Sequence, residues 1–209
     1  MHADNDIDLQ DRETCHQGFF RLDRLTLRHR RFDGGWTPAL KREVLIRDPA
    51  VAVLPYDPVL DRVVLIEQFR AGDYAAGRRG WMTEIVAGIA DPGEAPEDVA
   101  RRETLEETGL AVDDLEFVAE FLPSPGGSSE VVRVYCGRVD AASAGGTHGV
   151  DGESEDIRVV TLSADEALAW LDSGQVDNAV TLIGLLWLGR HRDRLRHAPG
   201  RLRPAPPRR

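Results

Sequence analysis

The sequence predicts an α/β fold in which helices cover both faces of a β-sheet. Segments rich in β-branched and large apolar residues lie on both sides of one helical segment near the middle of the chain, and two more helical segments follow. A pair of partly alternating segments precedes them, which is typical of a hairpin. We therefore expect an α/β/α sandwich preceded by a small N-terminal antiparallel β element.

The first 48 residues are expected to contain two parts. Residues 1–14 are polar and are predicted to form a flexible leader. Residues 15–48 are predicted to form a β-hairpin, because Asp33, Gly34 and Gly35 separate its two halves and an Asp-Gly pair favours a tight turn. A hairpin of this length is marginal alone, so we expect it to pack on another surface.

Residues 49–197 are expected to form the main domain. Ser163 followed by Glu166 makes a capping box for a short helix that ends near Gly174. The basic, proline-rich residues 198–209 are expected to be disordered. Strands are predicted where apolar and β-branched residues cluster, at 51–57, 62–69, 115–121, 131–139 and 157–162.

Charge and composition limit the classes of function. A net charge of −10 disfavours a nucleic-acid partner, although metal ions and local arginines could still hold a small phosphorylated substrate. Cys15 and Cys136 are far apart and suit a reducing cytoplasm rather than a disulfide framework. The start of the chain is polar, and the apolar stretch at 179–188 is too short to cross a bilayer. We expect a cytoplasmic protein without membrane attachment.

The most specific pattern in the chain is GIADPGEAPEDVARRETLEETGL, residues 88–110. If each residue type occurred at roughly one position in ten, a preset pattern of seven would arise by chance once in about 10⁷ windows. This chain offers only about two hundred windows, so chance does not explain the match. The seven positions are Gly88, Glu94, Arg102, Glu103, Glu106, Glu107 and Gly109.

The same stretch predicts a helix with an acidic face. Pro96 suits a first helical turn and Gly109 suits the residue that ends a helix, so the helix is expected to lie between them. Glu106 and Glu107 lie three and four positions after Glu103, so the three carboxylates share one face. Such like-charge pairs destabilise a free helix, whereas a bound Mg²⁺ or Mn²⁺ would turn their repulsion into attraction.

Two further residues distinguish a metal site from the alternative, which is a solvated acidic helix face. A bare E-x-x-E-E pattern would favour that alternative. Here Glu94 and Arg102 are in register to pair and to brace the entry loop against the helix. With the two glycines, this pair favours the metal site.

Residues 88–110 match the Nudix box, G-x5-E-x7-R-E-U-x-E-E-x-G-U, in which U is a bulky apolar residue. The one departure is Thr104 at the first U position, which concerns packing rather than ligand chemistry. The chain thus resembles the Nudix hydrolase family. The resemblance implies an α/β/α sandwich with a mixed central sheet. It also implies hydrolysis of a nucleoside diphosphate linked to another group, with two to three Mg²⁺ ions per site and Mn²⁺ as an alternative.

Within that family the chain resembles the ADP-ribose pyrophosphatase subgroup. Pro125 lies 16 positions after Gly109, inside the turn SPGGSSE, and several shorter matches extend over most of residues 17–190: GFF at 18–20, REV at 42–44, LIEQFR at 65–70 and EDIRV at 155–159. The resemblance implies conversion of ADP-ribose to AMP and ribose 5-phosphate by a domain-swapped homodimer. Another nucleoside diphosphate sugar, a dinucleotide, or a non-catalytic ADP-ribose sensor remain as alternatives.

The resemblance also implies roles for individual residues. The Ala87 carbonyl, Glu103, Glu107 and Glu155 would hold the metal ions. Glu106, counted among the catalytic residues, is near enough to share one of them. Glu153 would be the base that deprotonates the attacking water, with Glu155 as the alternative base. Substrate contacts would come from Phe19, Phe20, Arg42, Glu43, Arg70, Ile89, Ser124, Pro125, Gly126 and Glu130. At Arg47 the subgroup can have an acidic contact, and this chain has an arginine.

Overall fold

A computed structural model describes residues 6–150, 152 and 155–197. The chain forms two compact units. The first unit comprises Met1–Pro49 with Leu122–Val131, and the second comprises Ala50–Phe121 with Val132–Arg209. The predicted disordered tail at 198–209 lies outside the described residues.

The described residues of the first unit form a three-stranded antiparallel sheet. Its strands are β1 (Ile7–Gln17), β2 (Arg21–His29) and β3 (Leu40–Ile46), in that order across the sheet. β2 and β3 form the predicted hairpin, and Gly34 and Gly35 in its connection have φ of 91° and 74°. These values lie in the left-handed region that glycine adopts without a steric penalty.

The prediction that residues 1–14 form a flexible leader is wrong for residues 7–14, which belong to strand β1. Most of the leader pairs with β2 instead, while residues 1–5 lie outside the described part. Backbone hydrogen bonds hold the strand, and they do not require an apolar side-chain pattern. Its polar side chains add ion pairs to β2, in which Arg12 and Thr14 both donate to the buried Asp23, at 2.6 and 3.0 Å.

In its described part, the second unit contains an eight-stranded sheet and four α-helices. The strands are β4 (Ala50–Asp57), β5 (Arg62–Phe69), β6 (Trp81–Glu84), β7 (Val86–Ile89), β8 (Asp114–Phe121), β9 (Val132–Arg138), β10 (Thr147–His148) and β11 (Ile157–Ser163). The helices are α1 (Ala71–Ala75), α2 (Pro96–Thr108), α3 (Ala164–Ser173) and α4 (Ala179–His197). Among the described residues, no helix is both long and apolar enough to cross a membrane.

The sheet of the second unit is mixed. Its strand order is β10-β11-β5-β4-β9-β8, with β6 added to β5 and β7 added to β4. β4 and β9 are parallel, and the other pairs are antiparallel. The mixed central sheet expected from the family resemblance is therefore confirmed.

Helices cover both faces of this sheet. On β4, alternate side chains belong to different apolar layers, because successive residues of a strand point to opposite faces. Ala52 and Leu54 pack in the layer that contains Leu185 of α4, whereas Val53 packs in the layer that contains Val99 of α2. The predicted α/β/α sandwich is confirmed, with α2 on one face and α3 and α4 on the other.

The ends of the last two helices follow their local sequence signals. Ser163 and Glu166 form the predicted capping box at the start of α3, and Gly174 ends that helix with φ of 72°. The Asn178 side chain accepts a hydrogen bond from the Thr181 amide at 2.9 Å and caps α4. The Thr181 hydroxyl in turn accepts from the Ile85 amide at 3.0 Å, which fixes α4 to the chain between β6 and β7.

Candidate metal and substrate site

The helix predicted from the 88–110 pattern is α2, with the expected ends. Pro96 occupies its first turn, and Gly109 ends it in the left-handed conformation with φ of 71°. The buried face of the helix includes Val99, Ala100 and Thr104. The Thr104 hydroxyl donates to the Ala100 carbonyl at 2.7 Å. The departure at Thr104 is therefore accommodated, because its polar group is satisfied inside the helix.

The inner glutamates of α2 lie against strand β7. Glu107 is buried, with 2% of its surface exposed, and one of its oxygens accepts a hydrogen bond from the Ala87 amide at 3.2 Å. Glu103 lies against Gly88 so closely that a Cβ atom at Gly88 would overlap its carboxylate. A side chain at residue 88 would thus displace Glu103, which explains why glycine stands at this position.

Arg102 binds three of the glutamates that belong to the pattern. Its guanidinium donates to both oxygens of Glu94 at 3.0 Å, to Glu103 at 2.7 Å and to Glu106 at 3.1 Å. The predicted Glu94–Arg102 pair is thus present. A longer contact, 3.4 Å, reaches the carbonyl of Ile89 and ties the helix to the end of β7. These carboxylates raise the pKa of Arg102 above its ordinary value, with Glu94 contributing most.

The electrostatics of Glu103 and Glu107 differ from those of exposed glutamates. Burial raises the pKa of Glu107 to about 9, and the neighbouring charges of Glu103 and Glu155 add to the effect. The Ala87 amide and the Arg70 guanidinium oppose it. Burial also raises the pKa of Glu103, although the adjacent Arg102 counteracts it. The protein's own groups therefore offset only part of the cost of ionising Glu103 and Glu107.

This donor set fits a hard divalent cation. Carboxylate and carbonyl oxygens are the ligands that Mg²⁺ and Mn²⁺ prefer. Across residues 6–150, 152 and 155–197, no three His, Cys, Asp or Glu side chains converge as a ready-made cage. Two of the candidate ligands, Glu103 and Glu106, instead share the Arg102 guanidinium. A cation would have to compete with Arg102 for those oxygens, whereas Glu107 makes no such ion pair in this part of the chain.

Two other predicted site residues lie near these glutamates. The charge of Glu155 raises the pKa of both Glu103 and Glu107, and Arg70 lowers that of Glu107. Arg70 is itself held by Glu84, which accepts from its Nε at 2.6 Å. Sequence reasoning missed Glu84, because its position on β6 belongs to no recognisable spacing. The predicted base, Glu153, lies outside the described residues.

The remaining predicted substrate residues belong to the first unit and form separate groups. The Phe19 and Phe20 rings meet edge to face with centroids 4.8 Å apart, and Phe19 is 88% exposed. Arg42 and Glu43 are neighbours on β3, so their side chains leave opposite faces of the strand. The structure therefore does not bring Arg42 and Glu43 together.

The turn that contains the other predicted contacts is attached to β3. The Ser128 amide donates to the Ser124 carbonyl at 2.9 Å, and the Leu45 amide donates to the Gly127 carbonyl at 2.9 Å. Glu130, at the end of the turn, pairs with Arg47 at 3.1 Å. Ser124, Pro125, Gly126 and Glu130 thus share one hydrogen-bonded segment.

The fold and the glutamate-rich helix together define a class of protein. The NUDIX domain family matches residues 46–179, which is more than half of the chain. The chain therefore belongs to the Nudix family, as the sequence pattern predicted.

The chain is also similar in sequence to several curated proteins. The chain is 46% identical to the ADP-ribose pyrophosphatase of Escherichia coli (strain K12) over 193 residues, which are 92% of each chain. It is 40% identical to the ADP-ribose pyrophosphatase of Haemophilus influenzae over 89% of this chain and 87% of that protein. It is also 37% identical to the GDP-mannose pyrophosphatase of Enterobacter sp. (strain 638), over 71% of this chain and 77% of that protein.

A solved structure supports the fold. The crystal structure of an ADP compounds hydrolase aligns with a TM-score of 0.70 over 91% of this chain and 97% of that chain. The two sequences are 19% identical, so this likeness concerns the fold alone.

Proposed function

We propose that the protein hydrolyses ADP-ribose to AMP and ribose 5-phosphate in a Mg²⁺-dependent reaction. The observation that carries the proposal is the buried Glu107 beside Glu103, two carboxylates whose charge the protein compensates only in part. The two relatives named ADP-ribose pyrophosphatase, at 46% and 40% identity over most of the chain, support the choice of substrate.

The proposed metal ligands are the Ala87 carbonyl and the carboxylates of Glu103, Glu107 and Glu155, with Glu106 able to share an ion. Bound Mg²⁺ would neutralise diphosphate oxygens and make a water molecule easier to deprotonate. Two to three ions per site are expected from the family, with Mn²⁺ as an alternative.

The protein's own side chains would orient the substrate and the metal ligands, and one of them would deprotonate the attacking water. Arg70, held by Glu84, has a guanidinium that suits the oxygens of a diphosphate. Arg102 keeps Glu103 and Glu106 oriented, and its charge favours the ionised form of Glu103. Glu153 is proposed to take the proton of the attacking water, and Glu155 is the alternative base.

Recognition of the adenosine part is assigned to residues of the first unit. The Phe19 and Phe20 rings supply apolar surface on which a base can stack. The remaining proposed contacts are Arg42, Glu43, Ser124, Pro125, Gly126 and Glu130, together with Ile89 of the second unit.

The proposal includes a domain-swapped homodimer in the cytoplasm. Ile7 and Leu9 lie on one face of β1 and are 65% and 54% exposed, which suits a strand covered by a second copy. The free thiols of Cys15 and Cys136 suit a reducing compartment. Sedimentation that finds only monomer at the assay concentration would contradict the dimer.

The test is incubation of the protein with ADP-ribose and Mg²⁺ in ¹⁸O-water. Chromatography should show AMP and ribose 5-phosphate in equal amounts, none with EDTA, and mass spectrometry would identify which product contains the label and so which phosphorus is attacked. GDP-mannose serves as the competing substrate, because one relative is named for it. Faster turnover of GDP-mannose would reject ADP-ribose as the substrate, and binding of ADP-ribose without any product would favour a sensor.

A further inference from the structure

Residues 145–149 form a short segment that contacts both the end of α2 and one of the proposed metal ligands. His148 of this segment pairs with Ile157 in β11, and Ile157 is fully buried in the apolar layer that packs against α2. The Val159 amide donates to the Gly146 carbonyl at 3.0 Å and extends the attachment. The 145–149 segment is therefore fixed to the sheet where it approaches α2.

The His148 ring lies against the left-handed residue that ends α2. A Cβ atom at Gly109 would be 2.9 Å from Cε1 of this ring, so the glycine leaves room for the ring. The ring Nε2 donates to the Gly145 carbonyl at 2.9 Å, and it must carry the hydrogen because a carbonyl oxygen only accepts. His148 thus joins the end of the glutamate-bearing helix to the start of the 145–149 segment.

Gly149 continues this segment and contacts the backbone of Glu155. Its φ of 119° lies in the region that favours glycine. A Cβ atom at Gly149 would lie 2.8 Å from both the Cβ atom and the carbonyl oxygen of Glu155. The two residues are therefore in contact although residues 150–154 separate them in the sequence. A side chain at residue 149 would displace Glu155.

Glu155 lies close enough to α2 to affect the ionisation of its glutamates. Burial is the largest cause that raises the pKa of Glu103 and Glu107, and the charge of Glu155 adds to it in both. The affinity of a metal site depends on how the residues behind its ligands orient them. Contacts that fix the backbone of Glu155 therefore bear on the strength of cation binding.

We propose that His148 and Gly149 are positioning residues that hold Glu155 against the metal-binding face of α2, and that they thereby set the affinity of the site for a divalent cation. Both act through the backbone that carries Glu155, without binding the cation themselves. The inference rests on the proposed function, which assigns Glu155 as a metal ligand. It gives a task to two residues that lie outside the 88–110 pattern.

The experiment uses the metal ion itself as the probe. Binding of Mn²⁺ to the full chain without substrate is followed by electron paramagnetic resonance, which measures the free ion. His148→Ala removes the ring and its hydrogen bond. His148→Gln keeps a donor, because a glutamine amide nitrogen reaches about as far along the side chain as the histidine Nε2. Gly149→Ala tests the contact with Glu155.

Each substitution has a matched control in the second unit. The His191 ring also hydrogen-bonds a carbonyl, that of Trp187 at 2.8 Å, but it lies on α4, on the other face of the sheet. His191→Ala therefore removes the same kind of contact away from the glutamates of α2. Gly77 has a φ of 80°, and a Cβ atom there would meet nothing within 4 Å. Gly77→Ala thus adds the backbone strain without the collision.

His148→Ala should weaken Mn²⁺ binding about tenfold, which is the lower end of the loss that follows removal of a residue behind a metal ligand. Gly149→Ala should weaken it by at least about the same factor, since the collision acts on Glu155 directly. His148→Gln should lie between His148→Ala and the wild type, and both controls should match the wild type. In ADP-ribose hydrolysis by His148→Ala, the Mg²⁺ concentration for the half-maximal rate should rise about tenfold, with kcat at saturating Mg²⁺ within about threefold of the wild type.

Glu155→Gln shows whether the effect of His148 passes through the proposed ligand. If His148 acts by placing Glu155, the double variant Glu155→Gln/His148→Ala should bind Mn²⁺ as weakly as Glu155→Gln alone. An effect through general stability would instead make the two losses additive.

Three results would overturn the inference. They are wild-type Mn²⁺ affinity in either His148→Ala or Gly149→Ala, a matching loss in either control, and additive losses in the double variant. If His148→Ala does not fold, wild-type affinity in Gly149→Ala alone would reject the inference. Failure of the proposed function would appear differently, as a wild-type protein that binds Mn²⁺ but forms no product from ADP-ribose.

Discussion

Replacing Glu107 by glutamine should stabilise the protein when no metal is bound. Burial raises the pKa of this carboxyl from its ordinary 4.5 to about 9, so the native state keeps the proton over a range in which the unfolded chain has released it. Stability therefore falls as the pH rises from about 4.5 towards 9. Glutamine cannot ionise, and its side-chain oxygen can still accept from the Ala87 amide.

The size of the effect follows from the pKa difference. Each pH unit between the unfolded and native pKa values removes 1.36 kcal/mol, so the three units from pH 4.5 to 7.5 amount to about 4 kcal/mol. Glu107→Gln should thus raise the free energy of unfolding by about 4 kcal/mol at pH 7.5 and by almost nothing near pH 4.5. Urea unfolding in EDTA at pH 5.0, 6.5 and 7.5, followed by circular dichroism, measures the difference.

Glu97→Gln is the control on the same helix. Glu97 lies in the first turn of α2, where a negative charge is favoured by the helix dipole. Its removal should therefore destabilise the protein by roughly 0.3–1 kcal/mol, with the sign opposite to that of Glu107→Gln. A stability gain for Glu107→Gln that is absent at pH 7.5, or that grows as the pH falls, would refute the burial argument. Added Mg²⁺ should stabilise the wild type more than Glu107→Gln, since only the wild type retains the proposed ligand.

Three further changes test other parts of the site. Gly88→Ala should displace Glu103 and lower kcat/KM at least ~100-fold with a normal circular dichroism spectrum, because the Gly88 backbone is not in the left-handed region. Gly72→Ala, where a Cβ would meet nothing within 4 Å, should leave kcat/KM unchanged, and equal losses in both variants would contradict the steric argument. Glu153→Gln should lower kcat by about 10²–10⁴ while calorimetry still detects binding of ADP-ribose; near-normal turnover would transfer the base role to Glu155. Glu84→Gln should loosen Arg70 and raise KM for ADP-ribose about fivefold, and an unchanged KM would remove Arg70 from diphosphate binding.

The sequence predicted the parts of the fold that local chemistry determines. Pro96 and Gly109 mark both ends of α2, because one lacks an amide hydrogen and the other tolerates a positive φ. The Ser163 capping box likewise marks the start of α3. Strands β4 and β5 were recognisable because both of their faces are buried, so that they read as continuous apolar runs.

Other features depend on partners that a linear pattern does not contain. Among the residues that the structure describes, strand β1 pairs with β2 alone, and its side chains are almost entirely exposed, so its sequence resembles a polar leader. Glu84 belongs to the candidate site only because Arg70, fourteen residues earlier, folds beside it. The contact of Arg47 with Phe20 joins residues from the two ends of a long hairpin. Each of these contacts needs the tertiary structure before it can be recognised.

The buried carboxylate of Glu107 is difficult to explain by stability alone. A penalty of about 4 kcal/mol at pH 7.5 is a large fraction of the 5–15 kcal/mol that stabilises a typical domain. A glutamine there would keep the hydrogen bond to Ala87 without the penalty.

A cation that binds the native state alone offsets such a penalty, by about 4.1 kcal/mol when its concentration is 1,000 times its dissociation constant. The position of Glu107 therefore favours a fold whose stability at neutral pH is coupled to cation binding, and the same coupling predicts that protons are released as Mg²⁺ binds. Titration calorimetry in buffers of different ionisation enthalpy would measure that release, and binding without proton release at pH 7.5 would contradict a protonated Glu107 in the metal-free protein.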